Sequence, residues 1–317
     1  MKIREALKKA TEELSKSAID SSTIDAKVLL AFVLDVDTNA LFMKYEDELK
    51  EEEQRAFEGL VCERKSNRPV AYITGHREFY SLDFLVNENV LIPRPETEIL
   101  VDESLNFLKG KEHPNVLDIC TGSGNIPITL CHETKKEGQE ITAFAFDISP
   151  EALEVAEANK NKHEIKNLVF FQYDLFQGIC QQTFEEASFD RACPERSRRA
   201  QVDITFDLIT ANPPYVPMED KPLIAPDVID YEPHIALFEN DNGCRAIFKI
   251  IEEAEKLLKQ EGLLLIEISS TKQSEYITQW FQKNQWERSY SIPTFLKDYA
   301  GINRFLSLTK KSPSIPL

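Results

Sequence analysis

The segment "FDLITANPPYV", residues 206–216, holds the side chains best suited to chemistry. A short apolar run that reads as a buried strand is followed at once by Asn212, Pro213, Pro214 and Tyr215. Prolines cannot donate to a sheet ladder and they stiffen the chain, so this pair ends the strand and freezes an amide and an aromatic ring side by side. Such a group suits a reaction in which a planar nitrogen attacks an electrophilic carbon. An amide or aromatic amino nitrogen is a poor nucleophile because its lone pair is delocalised, and it needs two acceptors, one for each N–H. The Asn212 side-chain oxygen supplies one. The Pro213 carbonyl, aimed by the rigid Pro214, supplies the second, and Tyr215 offers a π face to pack on a substrate. The bland alternative is a proline-stiffened turn.

Three further stretches carry ligand-binding chemistry. In "VLDICTGSGNIPITL", residues 116–130, an apolar strand ends near Asp118 and a turn with Gly122 and Gly124 opens a helix. Glycines let the backbone approach a ligand, and a helix N-terminus offers free N–H groups. Many strand-to-helix turns hold two glycines, so this signal is weak alone. Asp147, at the end of the next strand "FAFD", lies about 23 residues past the glycine turn, close to where nucleoside-binding sheets place an acid on the ribose hydroxyls. The alternative is an aspartate that caps its own turn. In "YDLF", Asp174 is a candidate acceptor for an adenine amino group, with Leu175 over the ring, or simply a turn aspartate.

These stretches need strands to carry them. From residue 115 onward strand-like and helical patterns alternate: "NVLDIC", "ITAFAFD", "NLVFFQ", "FDLITA", "GLLLIEI", "WERSYSI" and "RFLSLT" read as strands, with helices such as "SPEALEVAEANKNKH" and "CRAIFKIIEEAEKLLKQ" between them. Ser149 is the expected N-cap of the first of these helices, with Pro150 in its first turn. Alternation of this kind predicts an α/β fold with a doubly wound, mainly parallel sheet, and ligands in such sheets sit beyond the strands' carboxyl ends at the switch point. Residues 1–70 read as a helical bundle. Ile3, Leu7, Ala10 and Leu14 share one face, Ser22 and Asp25 suggest a capping box, and Phe57, Leu60 and Val61 point inward. Residues 71–98 alternate around "NEN" and suggest a β-hairpin linker that ends in the extended "IPRPETE". An arginine-bearing stretch at about 187–203 reads as a tolerated, solvated insertion.

Composition narrows the class. The chain has 317 residues, 42% of them hydrophobic, and a net charge of −17. An acidic surface argues against holding nucleic acid through its phosphates, and it suits a cationic small molecule or a basic protein. Six cysteines without a CxxC pair point to a reducing, cytoplasmic compartment, and five dispersed histidines give no metal-ligand spacing. No apolar run is long enough to span a membrane.

With "NPPY" after the fourth strand, the chain is similar to S-adenosylmethionine-dependent methyltransferases that modify planar nitrogens. Within them it closely resembles the release factor glutamine methyltransferases. The matching pieces include "YITGHREFYSLDFLVNENVLIPRPETEILV", "VLDICTGSGNIPITL", "FDISPEALEVAEAN", "FDLITANPPYVP", "YEPHIALF", "GLLLIEIS" and "DYAGINRFLSL", in family order from about residue 68 to 308. The resemblance implies a Rossmann-like seven-stranded methyltransferase sheet (residues 99–317) with a small N-terminal helical bundle (1–70) that contacts the release factor and a β-hairpin linker (71–98). It implies S-adenosylmethionine as methyl donor, held by Cys120, Thr121, Gly122, Ser123, Gly124, Asp147, Asp174, Leu175 and Asn212. It implies that Asn212, Pro213, Pro214 and Tyr215 grip the glutamine amide of the GGQ motif of peptide-chain release factors. Arg94, Pro95 and Glu96 would help shape the substrate channel. A monomer without nucleic acid, membrane or metal is expected. The alternatives are a ribosomal-protein glutamine methyltransferase and a nucleic-acid adenine methyltransferase. One departure stands out: the family usually has Gly where this chain has Cys120.

Overall fold

The structure, a computed structural model, describes residues 1–17, 19–178, 184 and 204–312. The arginine-bearing stretch at 187–203 lies outside the described residues. The chain forms two compact units, residues 1–76 with 86–88 and 224–232, and residues 77–85 with 89–223 and 233–317. No helix among the described residues is long and apolar enough to cross a membrane.

The first unit holds α1 (Ile3–Lys16), α2 (Ser22–Leu34), α3 (Glu51–Lys65) and α4 (Val70–Thr74). The expected face of α1 is buried, with Ile3, Leu7, Ala10 and Leu14 all in the core. On α3, Phe57 and Val61 are buried, but Leu60 is only partly so. The expected capping box at Ser22 and Asp25 does not form. Ser21 is the N-cap, and its hydroxyl donates to Asp25 Oδ2 at 2.8 Å. Asp25 turns inward instead, to the buried Arg64, whose Nε donates to the same oxygen at 2.7 Å. A guanidinium 39 residues away claims the carboxylate, and no local pattern announces that.

In the second unit, β1 (His76–Phe79) and β2 (Leu82–Leu85) form the expected hairpin, but its turn is not at "NEN". It is Tyr80–Ser81, both at positive φ (53° and 60°), a two-residue geometry that ordinarily selects Asn-Gly. The tyrosine is held there by its backbone N–H, which donates to Glu98 at 2.8 Å, and by its hydroxyl, which donates to Asp102 at 2.7 Å. Both carboxylates stand on α5 (Thr97–Leu108).

The sheet is built from β3 (Asn115–Ile119), β4 (Thr142–Asp147), β5 (Leu168–Gln172) and β6 (Phe206–Ala211). After the short parallel pair β7 (Val216–Pro217) and β8 (Phe238–Glu239) come β9 (Leu258–Glu267), β10 (Thr294–Lys297) and β11 (Asn303–Thr309). Seven strands run in the order β10-β11-β9-β6-β3-β4-β5, with β11 antiparallel to both neighbours and the other pairs parallel. One expected strand is corrected. "WERSYSI" opens as a tight helical turn at Trp286–Arg288, and the edge strand is Thr294–Lys297. Trp286 and Tyr290, four residues apart, pack into one core, a spacing that both a helix and a strand provide, so the pattern alone does not separate the two.

Alternation along the strands splits the apolar residues between two cores. Leu117 and Ile119 of β3 join Phe144 and Phe146 of β4 on one face, and Val116 joins Ala143 and Ala145 on the other. The first face is covered by α8 (Arg245–Leu257) through Ile247 and Ile250, and by α9 (Thr271–Lys283) through Ile277. The second is covered by α5, α6 (Asn125–Lys136) and α7 (Pro150–Lys162), through Leu100, Ile128 and Ala156. The Ser149 hydroxyl caps α7 as expected, accepting from Ala152 N at 3.0 Å. Because α6 leaves β3 toward one face and the chain after β6 leads to α8 on the other, a crevice opens beyond the neighbouring ends of β3 and β6.

The chain past β6 is fixed from below. Gly243, at φ +74°, lies so near the Tyr215 carbonyl that an added Cβ would sit 2.1 Å from its oxygen. Gln273 Nε2 donates to the carbonyls of both Tyr215 and Gly243, at 3.1 Å each. Gly243→Ala is therefore expected to cost on the order of 2–4 kcal/mol in urea unfolding, from strained backbone and a forced shift of Tyr215. A change under about 0.5 kcal/mol, the range of ordinary surface substitutions, would show that this contact does not constrain the segment.

Candidate active site

The crevice is a cleft with a cavity of about 280 Å³. Its walls come from the loops after β3, β4, β5 and β6, from the segment around Arg94, and from residues 233–239. Most of the sequence-predicted site residues meet here: Arg94, Cys120, Thr121, Gly122, Ser123, Asp147, Asp174, Leu175, Asn212 and Pro214 all line it. Gly124 stands behind the wall, Pro213 is buried, and Tyr215 points its hydroxyl to Glu267. Pro95 is exposed and, like Glu96, takes no part in the wall, but Thr97 directly after them does.

The glycine turn is held on three sides. Thr121 N donates to Phe146 O at 3.1 Å, and Gly124 N donates back to Thr121 O at 2.9 Å. Gly124, at φ +77°, begins α6 where a Cβ would stand 2.9 Å from Phe170 Cζ and 3.0 Å from Ile128 Cδ1, so only glycine lets the helix pack this close. Cys120 is also in left-handed backbone, at φ +60°, which explains why glycine suits the position. Burial, with the charges of Asp147 and Asp118, pushes its thiol well above the usual range, so it stays protonated.

Asp147 ties the turn to its own strand. Its Oδ2 accepts from Gly122 N at 2.9 Å and its Oδ1 from Ser149 N at 3.1 Å. Each carboxylate oxygen keeps a second lone pair for a ligand. Burial raises its pKa, and those backbone donors oppose the rise. Asp174 Oδ1 accepts from Phe176 N at 2.9 Å, so it caps its own turn, and the residue also lines the cleft.

Asn212 has a defined orientation. Its Nδ2 donates to Thr97 Oγ1 at 3.4 Å, a long bond, and its Oδ1 is buried with no hydrogen-bond partner among the described residues. Thr97 in turn donates to Glu267 Oε2 at 2.6 Å, while the Tyr215 hydroxyl donates to Glu267 Oε1 at 3.0 Å. Burial holds the Tyr215 phenol well above its ordinary range, and the nearby Glu267 adds to this, so it remains a donor. Under the cleft, Asp118 Oδ1 accepts from Thr210 at 2.7 Å, whereas Asp118 Oδ2 and the Thr121 hydroxyl are buried without a hydrogen-bond partner among the described residues.

Three positioning residues escaped the sequence reading. Asn159, fully buried, donates to the carbonyls of Ser123 and Leu85 at 3.0 Å each and accepts from Leu85 N at 2.7 Å. Its place on the buried face of α7, with Ala152, Val155 and Ala156, was a usable signal. Glu267, a charge at the end of the run "LLLI", was another. Thr97 gave none.

Comparison with known proteins follows the same outline. A family model described as the PrmC N-terminal domain matches residues 5–75, and one described as a methyltransferase domain matches residues 111–301. A release factor glutamine methyltransferase of Leptospira interrogans is 40% identical over 307 residues, which cover 96% of this chain and 96% of that protein. A bifunctional methyltransferase of Rickettsia felis is 34% identical over 96% of this chain, and the match spans 57% of that longer protein. Among solved structures, a ribosomal protein L11 methylase from Lactobacillus delbrueckii subsp. bulgaricus shows 19% identity and a TM-score of 0.44, covering 72% of this chain and 84% of its own.

The buried acid beneath the cleft makes stability depend on pH. Burial pushes the Asp118 carboxyl from 3.8 up to about 7, with the charge of Asp147 adding and the Thr210 hydroxyl opposing. The folded chain therefore holds a proton that the unfolded chain releases. This group's contribution is full below about pH 4 and is lost as pH rises through about 7. Asp118→Asn is expected to flatten the fall in unfolding free energy between about pH 5 and 8 by on the order of 2 kcal/mol. Parallel wild-type and variant profiles from urea titration would remove Asp118 as the source.

Proposed function

The chain belongs to the release factor glutamine methyltransferase family, and from that premise we propose that it transfers a methyl group to the side-chain amide nitrogen of the glutamine in the GGQ motif of peptide-chain release factors. The observation that carries this reading is the buried, unpartnered Oδ1 of Asn212 in the cleft wall. A buried acceptor without a partner costs about 1–3 kcal/mol, and a substrate N–H would relieve that cost.

The cleft residues fit S-adenosylmethionine as the methyl donor. The Thr121 hydroxyl is a second orphaned polar atom, the Asp147 oxygens keep free lone pairs, and Asp147, Asp174 and Glu239 give the wall an acidic character that suits a cation. When bound, that cofactor would supply the methyl group on an activated sulfonium. Cys120, Thr121, Gly122, Ser123, Asp147, Asp174 and Leu175 are the residues that would hold it, with Gly124 letting α6 approach.

The chain's own part in the reaction is orientation. Asn212 Oδ1 would accept one N–H of the carboxamide and the Pro213 carbonyl the other, with both acceptors fixed before the substrate arrives. Tyr215, tied to Glu267, would bound the pocket with its ring. Arg94 is the one member of the expected Arg94–Pro95–Glu96 channel that reaches the cleft, and it would contact the substrate there. The bundle of residues 1–70 is read as the contact for the body of the release factor, supported by the exposed apolar side chains Phe42 and Met43. Such a substrate belongs to the cytoplasm, and the reading takes the chain as a monomer that acts without direct nucleic-acid or membrane contact.

The test is transfer of labelled methyl groups to release factors with the GGQ glutamine intact or replaced. Label is expected on the intact protein alone, and Asn212→Ala should lower turnover by about a hundredfold or more. Label that persists on the replaced factor, or full turnover by the variant, would contradict the assignment.

A further inference from the structure

Asn212 can serve as an acceptor in only one of its two amide orientations. Turned by 180°, it would present two N–H donors to the substrate nitrogen and nothing to receive its hydrogens. The proline pair fixes the backbone but does not decide this flip. Something beside the side chain must do so.

We propose that Thr97, backed by Glu267, is a positioning residue that sets the Asn212 amide with its oxygen toward the substrate; this rests on the methyltransferase reading above. A hydroxyl has a single proton, and Thr97 spends it on Glu267 Oε2 at 2.6 Å, a short charge-assisted bond. Toward Asn212 the Thr97 oxygen then offers lone pairs alone. Nδ2 is accepted there, at 3.4 Å, whereas Oδ1 in that place would meet lone pair against lone pair. The orientation thus rests on the exclusion of the wrong flip as much as on the long bond itself.

Glu267 is suited to hold the proton in that direction. It is buried, at 1% exposure, and both of its oxygens accept from hydroxyls, Thr97 on one and Tyr215 on the other. Were it to lose that role, Thr97 would be free to donate to Asn212 and favour the opposite flip. The same carboxylate also fixes Tyr215, so one group at the end of β9 orients both polar side chains of the NPPY segment. Thr97 is the first residue of α5, where a side chain near the helix start is held by packing, and it is itself 1% exposed.

The test uses the full chain with Thr97→Val, which keeps the shape and removes the hydroxyl, and Thr97→Ser, which keeps the hydroxyl. With a release factor as substrate, T97V is expected to lower kcat about tenfold or more while the Kd for S-adenosylmethionine, read by calorimetry, stays within about twofold, and T97S to recover most of the loss. A second readout needs no activity. The Asn212 side-chain NH₂ signals in ¹⁵N spectra, assigned by their absence in N212A, should exchange slowly with solvent in wild type and T97S and faster in T97V. Unchanged kcat in T97V, equal loss in T97S, or amide signals indifferent to both substitutions would overturn the proposal. If the wild type methylates no release factor, the functional reading fails, and the amide signals still decide the role of Thr97.

Discussion

The arrangement of the site depends on one buried oxygen that the protein leaves without a partner. Asn212 Oδ1 stands just past the end of β6, while the Thr97 and Tyr215 hydroxyls beside it are both engaged by Glu267. Folding normally pairs such atoms, since an unpaired buried acceptor is destabilising. Keeping this one vacant requires a surrounding that cannot relax toward it. The two prolines remove local donors, Gly243 and Gln273 pin the carbonyl of Tyr215, and Glu267 draws the neighbouring hydroxyls to itself.

The sheet explains why this oxygen meets a second set of orphaned groups. β3 and β6 are adjacent and parallel, and the chain leaves them toward opposite faces. The crevice so formed brings the turn after β3, with its unpartnered Thr121 hydroxyl, opposite the segment after β6. Asp147 closes the third side by accepting from Gly122. Three carboxyl groups, the buried Asp118 and Glu267 and the partly buried Asp147, all have pKa values raised by desolvation, which marks a region held at a cost in charge and suited to a positively charged occupant.

Much of this was legible in the sequence because it is local. Strand and helix alternation gave the sheet, the glycine turn and Asp147 gave one wall of the cleft, and "NPPY" gave the other. What failed was set by partners distant in sequence. Asp25 looked like a cap because its ion pair with Arg64 crosses two helices. The hairpin turn sat at Tyr80–Ser81, where contacts with α5 outweigh the usual residue preference. "WERSYSI" has strand composition, yet it opens as a helical turn, and the four-residue spacing of its aromatic pair fits a helix and a strand alike. In "IPRPETE" the channel residues were sought at Arg94, Pro95 and Glu96. The turn that starts α5 leaves Pro95 exposed and brings Thr97 inward, which only the helix phase reveals.

The most direct measurement is a crystal structure of the chain with S-adenosylhomocysteine and a glutamine-bearing peptide from a release factor. The account predicts the glutamine amide nitrogen within about 2.7–3.2 Å of Asn212 Oδ1. A bound peptide whose amide lies elsewhere, with Oδ1 turned to Thr97 or paired within the protein, would contradict it.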